Sequence, residues 1–154
     1  MQAQILAPAA VLVVWSIIML FWVAAVRFPA MKKLAGESGS NRLTAQAGGR
    51  GQDLEGRIPV RAVWPAHNFT HLMEQPTIFY PAVIILAIMG AGAGDVLAAW
   101  IYVALRILHS LWQSLVNTIP VRMALFFSST FALLWLAVRA IMATLFHDPG
   151  ALPE

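Results

Sequence analysis

Residues 5–26, 67–89, 96–116 and 121–146 form four long apolar runs. Each is close to the ~20 residues that a helix rising ~1.5 Å per residue needs to cross a ~30 Å hydrocarbon core. Over 154 residues the chain is 60% hydrophobic and 11% charged, and its mean hydropathy is +0.73. The apolar residues come in runs rather than at amphipathic spacing, so the bilayer, not a soluble core, is the medium they suit. The expectation is an all-α fold, one integral membrane four-helix bundle spanning residues 1–154. The first run sits where a signal peptide would, but no Lys or Arg precedes it and it is too long for an h-region, so it is expected to remain in the mature protein.

Charge orients the bundle. The segment 27–66 reads as a flexible loop and holds Arg27, Lys32, Lys33, Arg42, Arg50, Arg57 and Arg61, whereas the "GAGAGD" turn and the "HDPGALPE" tail hold no Lys or Arg. The positive-inside rule makes this loop cytoplasmic and puts both termini on the opposite side. A basic balance gathered beside a span fits membrane orientation rather than nucleic acid. The "NTIPVR" turn then lies at the cytoplasmic end, with Pro120 in the first turn of the fourth helix and Asn117 or Thr118 as its cap. Short second and third connections give an up-down-up-down topology. Without cysteine there is no disulfide, no thiolate metal ligand and no cysteine nucleophile.

Ionisable groups within spans are costly and mark functional candidates. In the third span Tyr102, Arg106, His109 and Gln113 follow at spacings of four, three and four, which puts them on one helical face. That stripe reads either as a network joining helices or as a ligand site. Glu74 of the second span and His109 and Arg106 of the third lie well inside their spans, at depths where they can meet. Facing each other would offset part of the desolvation of carboxylate and guanidinium. Arg27 and Arg122 sit at the cytoplasmic mouth, and with Arg106 they would line a cationic cavity. Arg139, near the far end, reads as snorkelling or structural.

His67, His71 and Glu74 fall at i, i+4 and i+7, a spacing zinc would accept. A catalytic zinc also needs supporting partners and an open position, and no metal is expected here. Pro76 and Pro81 remove two N–H donors from the second span, freeing carbonyls near Leu72 and Thr77 and kinking the helix just after Glu74.

These features resemble the membrane-associated proteins in eicosanoid and glutathione metabolism (MAPEG), which include microsomal glutathione transferases and microsomal prostaglandin E synthase. The resemblance rests on four spans, a basic first loop, the "AH…E…P" segment of the second span, the "R-x-x-H" of the third and the arginine opening the fourth. It implies a homotrimer that binds glutathione as cosubstrate between subunits and acts on a small lipophilic substrate drawn from membrane lipid. It also implies roles: Arg122 would hold the glutathione sulfur as a thiolate, while Arg27, Glu74, Arg106 and His109 would bind the tripeptide. The sequence departs from the family where R-A-x-x-N-x-x-E becomes "AHNFTHLME". His71 replaces the asparagine, Asn68 and the histidines are left as other donors, and Gln113 stands where several members have tyrosine. Two functions are consistent with this pattern: a glutathione-dependent transferase or peroxidase, or a non-enzymatic protein holding another anionic lipid or metabolite in the same cavity. The expected location is a bacterial inner membrane with periplasmic termini.

Overall fold

A computed structural model of the chain describes residues 2–37 and 50–146. Arg42 and the "HDPGALPE" tail lie outside the described residues. Five α-helices and one short 3₁₀ turn account for nearly all of what is described: α1 (Gln2–Glu37), the 3₁₀ turn (Gly51–Leu54), α2 (Val60–Glu74), α3 (Pro76–Met89), α4 (Ala93–Leu115) and α5 (Ile119–Leu145). With α2 and α3 taken as one interrupted rod, four units are long and apolar enough to cross a membrane: Ala3–Gly36, Val60–Met89, Ala93–Leu115 and Ile119–Leu145. The protein is an integral membrane four-helix bundle.

α1 buries Ile5, Leu12, Ser16 and Met19 on one face and exposes Val13, Val14, Ile17 and Leu20 on the others. Steps of three, four and seven residues keep the buried set on a single stripe, and the bilayer is the natural solvent for the rest. Its 36 residues amount to ~54 Å, well beyond a ~30 Å core. The basic segment read as loop from residue 27 is therefore helical as far as Glu37, and α2 begins at Val60, before His67. The reason is a small second core in which Ala30, Leu34 and Leu54 pack on Ile58, Ala62 and Val63. Burying this apolar set outweighs the polar composition that made the segment look loop-like.

Between α2 and α3 the helical ladder is interrupted at Gln75, because Pro76 has no N–H to offer Leu72. Gln75 itself keeps helical dihedrals, φ −64° and ψ −40°. The interruption is patched locally: the Ile78 N–H donates to the Gln75 carbonyl at 3.0 Å, and the Thr77 hydroxyl donates to the Glu74 carbonyl at 2.5 Å. Gln75 also donates through Nε2 to the Thr130 hydroxyl of α5 at 2.8 Å, so the break doubles as a tie between rods.

The two tight turns have different chemistry. α3 ends at Gly90, whose φ of 95° is a left-handed conformation suited to glycine. The turn after α4 contains Asn117, the one described non-glycine residue with positive φ, 58°. The N–H groups of Val116 and Asn117 both donate to the Trp112 carbonyl, at 2.9 and 2.7 Å. Thr118 does occupy the cap position of α5, but its hydroxyl makes no capping bond. It accepts instead from the Trp112 indole at 3.0 Å.

α4 packs along α5 and also touches α1 and α2, while α3 touches α1 and α5. α1 and α5 therefore flank a centre made by α4 and the α2–α3 rod. Up-down alternation collects the C-termini of α1 and α4, the N-termini of α2 and α5 and the 3₁₀ turn at one end, which we call the basic end. At the other end Arg139 is structural. It donates through Nε and Nη2 to the Asp95 carboxylate at 3.0 and 3.3 Å, and Asp95 also accepts from the Gly92 N–H at 3.0 Å. One carboxylate thus caps α4 and fastens it to α5.

Candidate functional site

The third-span stripe lies on one face, as its spacing requires. Tyr102, Arg106, His109 and Gln113 are all buried. Arg106 is the deepest cation, 1% exposed. Its Nη2 donates to the carbonyl of His71 at 2.9 Å, and its guanidinium carbon lies 5.6 Å from the Phe126 ring centre and 5.9 Å from that of Tyr102. Its Nε and Nη1 have no hydrogen-bond partner among the described residues. The burial cost is met in part by a backbone carbonyl and two aromatic faces rather than by a facing carboxylate.

Glu74 sits differently from the facing pair the depths suggested. Its side chain is 60% exposed, with Oε2 3.0 Å from Nδ1 of His71. Asn68 is 0% exposed and commits its amide to Ser110 of α4. Nδ2 donates to the hydroxyl at 2.8 Å and Oδ1 accepts from it at 3.0 Å. Asn68 is therefore a core tie and not the spare ligand donor considered from sequence. Gln113 is buried with Oε1 unpartnered among the described residues, and neither it nor Arg106 reaches the recesses described next.

Three recesses run side by side across the basic end. The first, about 280 Å³, lies against Arg27, Arg50, Gln52, Glu55, His67 and Thr70. A second, about 400 Å³, shares Gln52, Glu55, His67 and Thr70 with it and adds His71. The third, about 280 Å³, is lined by His71, His109, Arg122, Met123, Phe126 and Phe127. The first two share four lining residues and the third meets the second at His71, a row of recesses from α1, past α2, to α4 and α5 that we call the trough. One end carries Arg27 and Arg50, the other Arg122, the middle carries imidazoles, and the last third has an apolar wall. Phe127 is 52% exposed, so this wall opens on the outer surface of the helix bundle.

Arg27 lies so close to the 3₁₀ turn that a Cβ built on Gly51 would stand 2.6 Å from Nη1, so a side chain there would push the guanidinium aside. Arg122 donates through Nη1 to Oδ1 of Asn117 at 2.8 Å, so the left-handed turn residue holds the arginine opening α5. His67 is tied through Nε2 to Glu55 at 2.6 Å. Sequence reasoning missed Gly51, Glu55, Thr70 and Asn117 as parts of the site. Only Asn117 carried a local signal, a polar residue before "IPVR", and it pointed to capping. Among the described residues no group of three His, Cys, Asp or Glu could hold a metal ion.

Against known proteins, the MAPEG family model matches residues 5–142. The chain belongs to the MAPEG family. No curated protein and no solved structure is significantly similar to it. This MAPEG protein thus keeps the family's four-span architecture, with five of the residues singled out in its sequence, Arg27, His67, His71, His109 and Arg122, lining the trough.

Proposed function

We propose that this MAPEG membrane protein is a glutathione-dependent transferase or peroxidase acting on lipophilic electrophiles, assembled as a homotrimer in a bacterial inner membrane with its termini periplasmic. The observation that carries the reading is the trough, with Arg27 and Arg122 at its two ends and an apolar wall beside Arg122. Glutathione carries two carboxylates, an amine and a thiol. Arg27 suits a carboxylate, and Glu74, 3.0 Å from the His71 ring, suits the amine. His71 and His109 supply polar contacts between them, and Arg106 backs the Phe126 ring of that wall.

The sulfur belongs at Arg122. A free thiol with a pKa near ~8.5 is mostly protonated at neutral pH, and a fixed guanidinium beside it favours the thiolate, which is the nucleophile. An apolar acceptor partitioned into lipid would reach the sulfur past Met123 and Phe127. Attack at carbon gives a thioether, and attack at peroxide oxygen gives reduction. In a trimer the adjacent subunit would close the open side of the trough. Calorimetric titration of the purified protein should show saturable binding at millimolar glutathione, and Arg122→Ala should lower conjugation at least tenfold while leaving most of the binding. Heat that never saturates would sink the reading.

One departure favours a second reading. His71 replaces the family's asparagine, Asn68 is consumed by Ser110, and no arginine lies between Pro65 and Glu74. A non-enzymatic protein holding another anionic lipid or metabolite in the same trough fits those losses. Native mass spectrometry separates the two, since retention of a lipid but never of glutathione favours the second.

A further inference from the structure

His71 is held at both its backbone and its ring. Its carbonyl is held by the buried Arg106 at 2.9 Å. Nδ1 is 3.0 Å from the Glu74 carboxylate, which selects the tautomer with the proton on Nδ1 and leaves a lone pair on Nε2. Among the described residues Nε2 has no hydrogen-bond partner. The ring packs edge-on to His109, centres 6.3 Å apart, and lines the same recess as Arg122. A carboxylate orienting one nitrogen while the other faces a nucleophile's site is the arrangement by which imidazole serves as a base.

We propose that His71, oriented by Glu74, is the proton acceptor that activates the thiol bound at Arg122. This inference rests on the glutathione reading and deepens it. The S–H bond breaks, its proton passes to Nε2 of His71, and its electron pair stays on sulfur as a thiolate beside the Arg122 guanidinium. The imidazolium then returns the proton to the acceptor atom that gains the electron pair when sulfur attacks. An asparagine at this position could orient the tripeptide but could not take a proton, so the replacement changes chemistry as well as contacts. Glu74 balances the charge on the imidazolium as it forms. The other charged or titratable groups around the ring are His67 on α2, Glu55 on the 3₁₀ turn, Arg106 and His109 on α4, and Arg122 on α5.

Proton release distinguishes this from stabilisation by arginine alone. Glutathione is titrated into the intact protein at about pH 7.5, where an ordinary imidazole is mostly neutral. Calorimetry in two buffers of different ionisation enthalpy counts protons released, ultraviolet difference absorbance counts thiolate, and S-methylglutathione, which has no thiol proton, sets the baseline. The wild-type protein should form thiolate with almost no net proton release, because His71 keeps the proton. His71→Asn should release about one proton per thiolate formed, and Glu74→Gln should fall between. About one proton released per thiolate by the wild type overturns the proposal without the need for any variant to fold, as does binding of glutathione purely as the thiol; glutathione binding itself survives both results. Absence of saturable binding overturns the glutathione reading and this inference together.

Discussion

Within one turn of α2, Asn68 and His71 have opposite fates. Asn68 points into the bundle and exchanges two hydrogen bonds with Ser110, whereas His71 stands at the trough. Asn68→Ala should destabilise the bundle by about 1–3 kcal/mol, because it strands a buried hydroxyl. Asn68→Ala with Ser110→Ala should cost less than the two single changes added together, and thermal denaturation in detergent gives the comparison. Equality of the double-variant loss with the sum would mean the two side chains act independently. Gly51 is the second residue with a sharp consequence. Gly51→Ala must displace the Arg27 guanidinium, so glutathione affinity should fall about tenfold, a loss of one charge-assisted contact, with little change in melting temperature. The stripe from Tyr102 to Gln113 was legible in the sequence because one helix fixes its own faces. Its partners were not legible. Whether Arg106 meets Glu74 or the carbonyl of His71 depends on how α2 is rotated against α4, and no local spacing encodes that.

At the scale of elements, the proline pair and the glycine turn were readable, since each removes or permits a specific backbone bond or dihedral. The extent of the helices was not. α1 persists to Glu37 because Ala30 and Leu34 find apolar partners from far along the chain, a tertiary gain invisible in a polar window. The turn after α3 makes a paired test. Gly90→Ala, at φ 95°, should destabilise by about 1–2 kcal/mol. Gly94→Ala, inside α4 with open space around it, should be neutral or stabilising by up to about 1 kcal/mol. The ion pair at the far end should be asymmetric. Arg139→Met abandons a carboxylate that is 2% exposed, whereas Asp95→Asn leaves an arginine that is 37% exposed and able to reach water. The first should therefore lower the melting temperature more than the second; the reverse order would show that Asp95 acts mainly as a cap.

At the scale of the whole molecule, the four-span fold was legible because a bilayer imposes a length that any sequence must satisfy. The trough was only half legible. Its arginines and histidines were visible as misfits in apolar runs, but the 3₁₀ turn that completes its first third lies in a segment whose composition marks only a polar connection. The large apolar residues exposed along α1, α4 and α5 need lipid or a second copy of the chain beside them. Mass measurement of the detergent-solubilised protein should return three chains. The central claim is that one trough between Arg27 and Arg122 holds glutathione with its sulfur at Arg122. An experimental density map of the trimer prepared with glutathione tests it most directly. The account predicts tripeptide density along the trough with its sulfur peak against the Arg122 guanidinium and within reach of His71. Density for a lipid there, or glutathione with its sulfur directed away from Arg122, would contradict it.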